Sequence, residues 1–265
     1  MVDARGLAAP YFDVEQFFDE VVKRAGGYRV DSLIPANPSF ENADYYFETD
    51  GVFGELKILQ YDRDEDERFK ARLIKVYTEL ARAGKVPPIS RTHRFAESKL
   101  LPIEVQRKLL QPLKRRLQGP VKKASHQLKE TKGVFNRDKD AGLLILVNEG
   151  SALYRPTAIF YFLCHLVRGE YCAGIDHILY CSVNVPATIP NIEGQARAWF
   201  TASVGGRKII NPKFLKLLQS CWASVLEEKM NIKMPRLRLD SGYAVIDAVV
   251  FDKIDLRNRP DIRSD

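Results

Sequence analysis

The sequence predicts an α/β fold, a mixed central sheet flanked by helices, and three observations carry that prediction. Two runs rich in aromatic and β-branched residues surround Asp50-Gly51, the dipeptide that most favours a tight hairpin turn. A glycine-bounded apolar run, Gly142 to Gly150, has the pattern of a strand buried on both faces. Between and beyond them lie stretches whose apolar residues recur at helical spacing. With 265 residues, 45% hydrophobic and 28% charged, the chain suits one domain over 1–265 that carries a basic, helical insertion at 60–118. No apolar run reaches membrane-spanning length, the first residues lack the layout of a signal peptide, and the four cysteines show no paired spacing. A cytoplasmic protein with free thiols is the expectation.

Taken in order, residues 11 to 25 place Val14, Phe17, Phe18, Val21 and Ala25 on one helical stripe, with Asp13 as N-cap and Gly26-Gly27 as the stop. A short strand within Tyr28 to Ile34 leads to the hairpin of residues 42–59. With Asp50 and Gly51 as a two-residue turn, Thr49 pairs with Val52, Tyr46 with Glu55, Tyr45 with Leu56 and Asp44 with Lys57. Alternation then sends Asp44, Tyr46, Glu48, Phe53, Glu55 and Lys57 to one face, and Tyr45, Phe47, Val52, Leu56 and Ile58 to the other. The second set reads as core. The first sets two or three carboxylates and an ammonium on strands that otherwise look buried, with Asp44 opposite Lys57 and roughly 7–8 Å diagonally from Glu55. Either this is a solvated face with an Asp44–Lys57 ion pair, or two carboxylates close around one divalent cation.

After the hairpin, acids at 62–67 open a helix that runs to Ala83. Residues 84 to 118 are broken by Pro87-Pro88 and hold Arg91, His93 and Arg94 beside Phe95, a group suited to gripping phosphate and stacking a base, or, for Phe95, to plain core. A basic helix over 103–117, interrupted at Pro112, ends at a break expected at Gly119-Pro120. The next helix, Val121 to about Phe135, turns Ala124, Leu128, Thr131 and Phe135 inward with Gln127 at its flank. The run from Gly142 should lie centrally beside the hairpin. A helix over 156–167, strands over 175–183 and 196–204, a helix over 212–230 and a last strand over 243–251 complete the chain. This later strand, helix and strand should cover the sheet face opposite Asp44 or extend the sheet edge.

The net charge of +7 is unevenly spread. From Arg82 to Lys132 fourteen Lys or Arg stand against three acids, a segment charge of +11 that leaves −4 for the remainder. Such a surplus fits either a merely solvated charged face or a phosphate-binding surface, the latter with Lys114, Arg115, Arg116, Lys122, Lys123 and Lys129 as contacts alongside Arg91 and Arg94. Cys164, His165, Cys172, His177 and Cys181 match no closed zinc spacing. The chain has no phosphate-binding P-loop, serine-hydrolase elbow or dinucleotide glycine fingerprint, so nucleotide hydrolysis, acyl transfer and hydride transfer lack support.

Asp44, ten intervening residues, and then Glu55-Leu56-Lys57 on a hairpin resemble the signature of the PD-(D/E)XK (restriction-endonuclease-like) nuclease superfamily, with Ala43 standing where the name has proline. The resemblance covers about residues 12–60 and 119–183. It implies a restriction-endonuclease-like core and a nuclease that uses Mg²⁺ or Mn²⁺, held by Asp44, Glu55 and the Leu56 carbonyl, with Glu15 of the first helix as a further ligand. Read from the helix alone, Glu15 is first of all a solvent-facing first-turn acid stabilised by the helix dipole. Lys57 and Gln127 would position the nucleophile or contact phosphate. The expected partner is nucleic acid, DNA ahead of RNA, with no membrane and with a homodimer as the self-association to look for. The alternative is a catalytically inactive nucleic-acid-binding or scaffold protein on the same fold, although two carboxylates facing a polyanion make physical sense chiefly when a cation bridges them.

Overall fold

The computed structural model describes residues 12–35, 40–60, 63–88, 95–96, 101–149, 154–184, 197–231, 233 and 254–255. Arg91, His93 and Arg94 and the strand expected over 243–251 lie outside them.

Helix α1 (Val14–Arg24) starts where expected: the Asp13 side chain accepts the Gln16 N–H at 3.0 Å, and Val14, Phe17, Phe18, Val21 and Val22 are buried. The expected strand after it is only β1 (Tyr28–Arg29), because the chain winds into a 3₁₀ turn over Val30–Ser32. Strands β2 (Tyr45–Phe47) and β3 (Val52–Leu59) form the hairpin. Its turn has four residues where two were expected. Glu48–Asp50 coil into a 3₁₀ turn and Gly51 takes φ +59°, a left-handed conformation that suits glycine. Phe47 therefore pairs with Val52, Tyr46 with Phe53 and Tyr45 with Gly54, two residues out of the expected register. The stacking of Tyr46 on Phe53, with ring centroids 4.1 Å apart, favours this pairing; the expected one would have set Phe53 against Glu48 and Tyr46 against Glu55. Glu48 instead turns to Tyr28 and Arg137. A slip of two leaves every side chain on its expected face but brings Asp44 level with Glu55 instead of Lys57.

Beyond the hairpin come α2 (Arg63–Arg82), β4 (Phe95–Ala96), α3 (Ile103–Leu109) and α4 (Gln111–Val134). The break expected at Gly119-Pro120 does not occur. Pro120 sits inside α4, and the buried row Leu113, Leu117, Val121, Ala124 and Leu128 runs straight past it. Proline removes one backbone hydrogen bond, at a cost of about 3 kcal/mol, and burial of the four larger side chains, three leucines and a valine, at about 1.5–3 kcal/mol each outweighs it. The basic stretch and the Gln127 stretch are thus one rigid element.

Strand β5 (Ala141–Asn148) is buried throughout and pairs in parallel with all eight residues of β3. Helix α5 (Pro156–Leu166) returns the chain to β6 (His177–Ser182), parallel to β5, and β7 (Trp199–Ser203) adds antiparallel to β6. After α6 (Pro212–Met230), β8 (Ile254–Asp255) pairs with β4 in a separate ribbon. The main sheet has the order β1-β2-β3-β5-β6-β7. One face, with Tyr46, Phe53, Leu144 and Tyr180, packs under α2, α4 and α5; the other, with Tyr45, Phe47, Leu56 and Ile145, packs under α1 and α6. Crossover helix α5 therefore shares the Asp44 side with α4, while the later helix α6 packs on the opposite face. β6 and β7 do extend the sheet.

Candidate active site

The site begins where β2 ends. β2 pairs only with residues 52–54 of β3, so from Glu55 onward that edge of β3 meets Asp44 in place of a ladder partner. The Asp44 Oδ2 accepts the Leu56 N–H at 2.7 Å. In a strand the N–H and C=O of one residue point to the same edge, so the Leu56 carbonyl also faces the Asp44 side. Alternation directs Glu55 the other way off the backbone, under α4, where it is 1% exposed. Its Oε1 accepts the Lys57 ammonium at 2.5 Å, while Oε2 is buried without a hydrogen-bond partner.

That orphaned oxygen sets the electrostatics. Burial, and then the neighbouring Asp44 carboxylate, push the Glu55 pKa up to about 8 against the pull of Lys57. Burial also raises Asp44, opposed by the Leu56 N–H and by the positive charges of Lys57 and Arg29. Two acids at adjoining positions thus resist ionising together until a positive charge is placed between them.

Lys57, 19% exposed, lies between Glu55 and α4. Its Nζ donates to Gln127 Oε1 at 3.0 Å, and Gln127 Nε2 donates to the Asn42 carbonyl at 3.0 Å. One turn later, Thr131 Oγ1 accepts the Ala43 N–H at 2.7 Å and donates to the Gln127 carbonyl at 2.8 Å. Helix α4 therefore clamps the segment that leads into Asp44 at two points and orients Lys57 at a third. The structure brings Asp44, Glu55 and Lys57 together with Gln127, 70 or more residues further along the sequence.

A cleft of about 220 Å³ opens beside this group, lined by Glu15, Arg29, Asp44, Tyr45, Leu56, Lys57 and Ile58. Glu15 reaches it from α1 but is exposed and stands 3.8 Å from Arg29, whose Nε donates to Asp19 at 2.7 Å. Among the described residues no group of three or more His, Cys, Asp and Glu side chains is placed to hold a metal. Two carboxylates and a carbonyl do meet the needs of Mg²⁺, which keeps most of its waters and takes one or two protein carboxylates. The unpartnered Glu55 Oε2 is the atom such an ion would satisfy.

The basic residues of α4 do not share one direction. At about 100° per residue, Lys123 lies on the Gln127 side and pairs with Glu41 at 3.1 Å, and Arg116 turns the same way to the Gln60 carbonyl. Lys122 and Lys129 stand about 140–160° round the helix from Gln127, Arg115 about 120°, and Lys114 faces α5. The expected contacts thus fall on both flanks of α4.

Arg29, Thr131 and Asn42 belong to the site but were not legible as such. Thr131 read only as an inward residue, and nothing local distinguishes Arg29; the β1–β2 pairing, Arg29 with Tyr45, puts it beside Asp44. No protein-family model matches the chain, and neither the curated proteins nor the solved structures include a match for it.

Proposed function

We propose that this protein is a metal-dependent nuclease that hydrolyses phosphodiester bonds in nucleic acid, DNA ahead of RNA, on a core of the restriction-endonuclease-like kind. The observation that carries the reading is the pair of adjoining carboxylates, Asp44 and Glu55, with one buried oxygen left unpartnered. Asp44, Glu55 and the Leu56 carbonyl would hold Mg²⁺ or Mn²⁺, which when bound acidifies water and withdraws charge from a phosphate. Lys57 donates two of its three N–H bonds, to Glu55 and Gln127, and keeps the third for a phosphate oxygen or the attacking water. Gln127 prevents Lys57 from swinging away, since its own amide is anchored on Asn42. Such preorganised donors stabilise charge that develops at phosphorus without reorganising during the reaction.

The purified protein should nick or degrade DNA with Mg²⁺ or Mn²⁺, and EDTA should stop it. Asp44→Ala, Glu55→Ala and Lys57→Ala should each lower turnover by at least about a hundredfold while circular dichroism stays unchanged. Binding of nucleic acid without cleavage under every metal tried would replace this reading with that of an inactive binding or scaffold protein.

A further inference from the structure

A second cluster lies across α4 from the cleft. Lys114, Gln118 and Lys122 are spaced i, i+4 and i+8 on the flank turned away from Gln127, a row about 12 Å long. Facing that row, α5 exposes Tyr161 and His165, whose ring centroids are 4.5 Å apart, and the turn after α5 exposes Arg168 and Tyr171. Tyr161 is 39% and Tyr171 46% exposed, high for large rings on a face with no core left to cover. Lys122 Nζ sits 4.6 Å from the centre of the Tyr171 ring, and the charges of Lys114 and Arg168 both act on His165. Burial and those two cations hold the His165 pKa below its ordinary value, so at neutral pH it offers an uncharged flat ring.

Several surface cations elsewhere pair with a carboxylate, Lys123 with Glu41, Lys70 with Glu67 and Lys229 with Glu20. Among the described residues Lys114, Lys122 and Arg168 have no carboxylate at ion-pair distance, although Glu170 lies next to Tyr171 in sequence. We propose that Tyr161, His165 and Tyr171, with Lys114, Lys122 and Arg168, form a binding track for single-stranded nucleic acid. The rings stack on unpaired bases and the cations pair with backbone phosphates. Rings and cations interleaved at this spacing suit a polyanion that carries a flat group on each repeat. A duplex keeps its bases stacked on each other and has none to offer the rings, whereas a base-free polyanion would engage the cations alone. The track shares its class of ligand with the proposed nuclease but does not depend on cleavage, and it would hold a strand on one side of α4 while the cleft lies on the other.

Binding of labelled oligothymidylate to the full chain, followed by fluorescence anisotropy in EDTA, tests this, with inorganic polyphosphate and a DNA duplex as competitors. Tyr161→Ala with Tyr171→Ala should weaken oligothymidylate binding at least about fivefold per ring and leave polyphosphate binding unchanged. Lys114→Gln with Lys122→Gln should weaken both and flatten the salt dependence of oligothymidylate binding by up to about 0.7 per lost phosphate contact. The phenylalanine variants at both tyrosines should bind as the parent does. Should alanine unsettle the fold, leucine removes the ring and keeps the bulk, and the same comparison decides. Oligothymidylate affinity indifferent to ring removal, or a duplex bound with the same dependence on the rings, overturns the proposal. A chain that cleaves with Mg²⁺ but ignores ring removal defeats this inference alone, and one that binds through the rings but never cleaves defeats the nuclease reading alone.

Discussion

Glu55 concentrates the chemistry of the site in one side chain. Its pKa is raised from 4.5 to about 8, so the folded protein binds a proton at Glu55 that the unfolded chain releases. The sign follows: stability from this group is fully present below pH 4.5 and is lost as pH rises through about 8. Without divalent cation, the melting temperature should therefore fall across that window. Glu55→Gln, neutral at every pH, should flatten this part of the curve. On the proposed reading Mg²⁺ would displace the proton, so its stabilising effect and its affinity should grow as pH rises toward 8, with proton release visible by calorimetry in two buffers of different ionisation enthalpy. A melting curve of the glutamine variant that keeps the parent's slope would place the titration on another group.

At the scale of elements, α4 is what turns a hairpin into a site. Its inner row is buried in the core, and Gln127 and Thr131 reach from its edge to Lys57, Asn42 and Ala43. Thr131→Val keeps the shape but leaves the buried Ala43 N–H without an acceptor. That should cost about 1–3 kcal/mol in urea unfolding and should lower cleavage more than it lowers DNA affinity, because the Asp44 segment loses its tie. Pro120 is exposed and interrupts the same helix without ending it. Pro120→Ala should stabilise the protein by up to about 3 kcal/mol and leave cleavage intact, since the residue touches neither cleft nor core. A loss of stability on that change would mean that a proline kink is needed to fit α4 against the sheet.

For the molecule as a whole, the site depends on how closely the layers approach. A Cβ at Gly174 would lie 2.1 Å from the Ser125 carbonyl of α4, and one at Gly142 would lie 2.0 Å from the Gly174 carbonyl. Ser125, Gly174 and Gly142 thus stack helix, turn and strand backbone to backbone, and the buried Lys132–Asp176 pair at 3.4 Å ties the same end of α4 to the sheet. Gly174→Ala must push these layers apart. It should destabilise the fold by several kcal/mol and impair cleavage although Gly174 lies in no part of the cleft, an outcome read from urea melts beside activity per folded molecule. Activity untouched in the folded fraction would show that Gln127 holds Lys57 without help from this contact.

The sequence by itself determined the elements and their inner faces. The Asp13 cap, the stripe from Val14 to Val22 and the apolar run of β5 are local signals, and alternation along 44–58 sorted the hairpin side chains correctly because a face depends only on period. Alternation put Asp44, Glu55 and Lys57 on one face, and the resemblance to the PD-(D/E)XK signature joined Gln127 to them as one expected constellation. What only the tertiary structure decided was distance and state. The four-residue turn set Asp44 level with Glu55 because Tyr46 stacks on Phe53, a cross-strand gain that the Asp50-Gly51 signal does not contain. Helix α4 ran through Pro120 because the core beneath it rewards continuity more than proline penalises it. Arg29 came to the cleft through strand pairing, and the basic residues of α4 divided between two flanks once its phase was set by its buried row. The raised pKa of Glu55 belongs to no residue pattern, since it arises from burial under α4 beside a second acid, and burial is a property of the assembled layers.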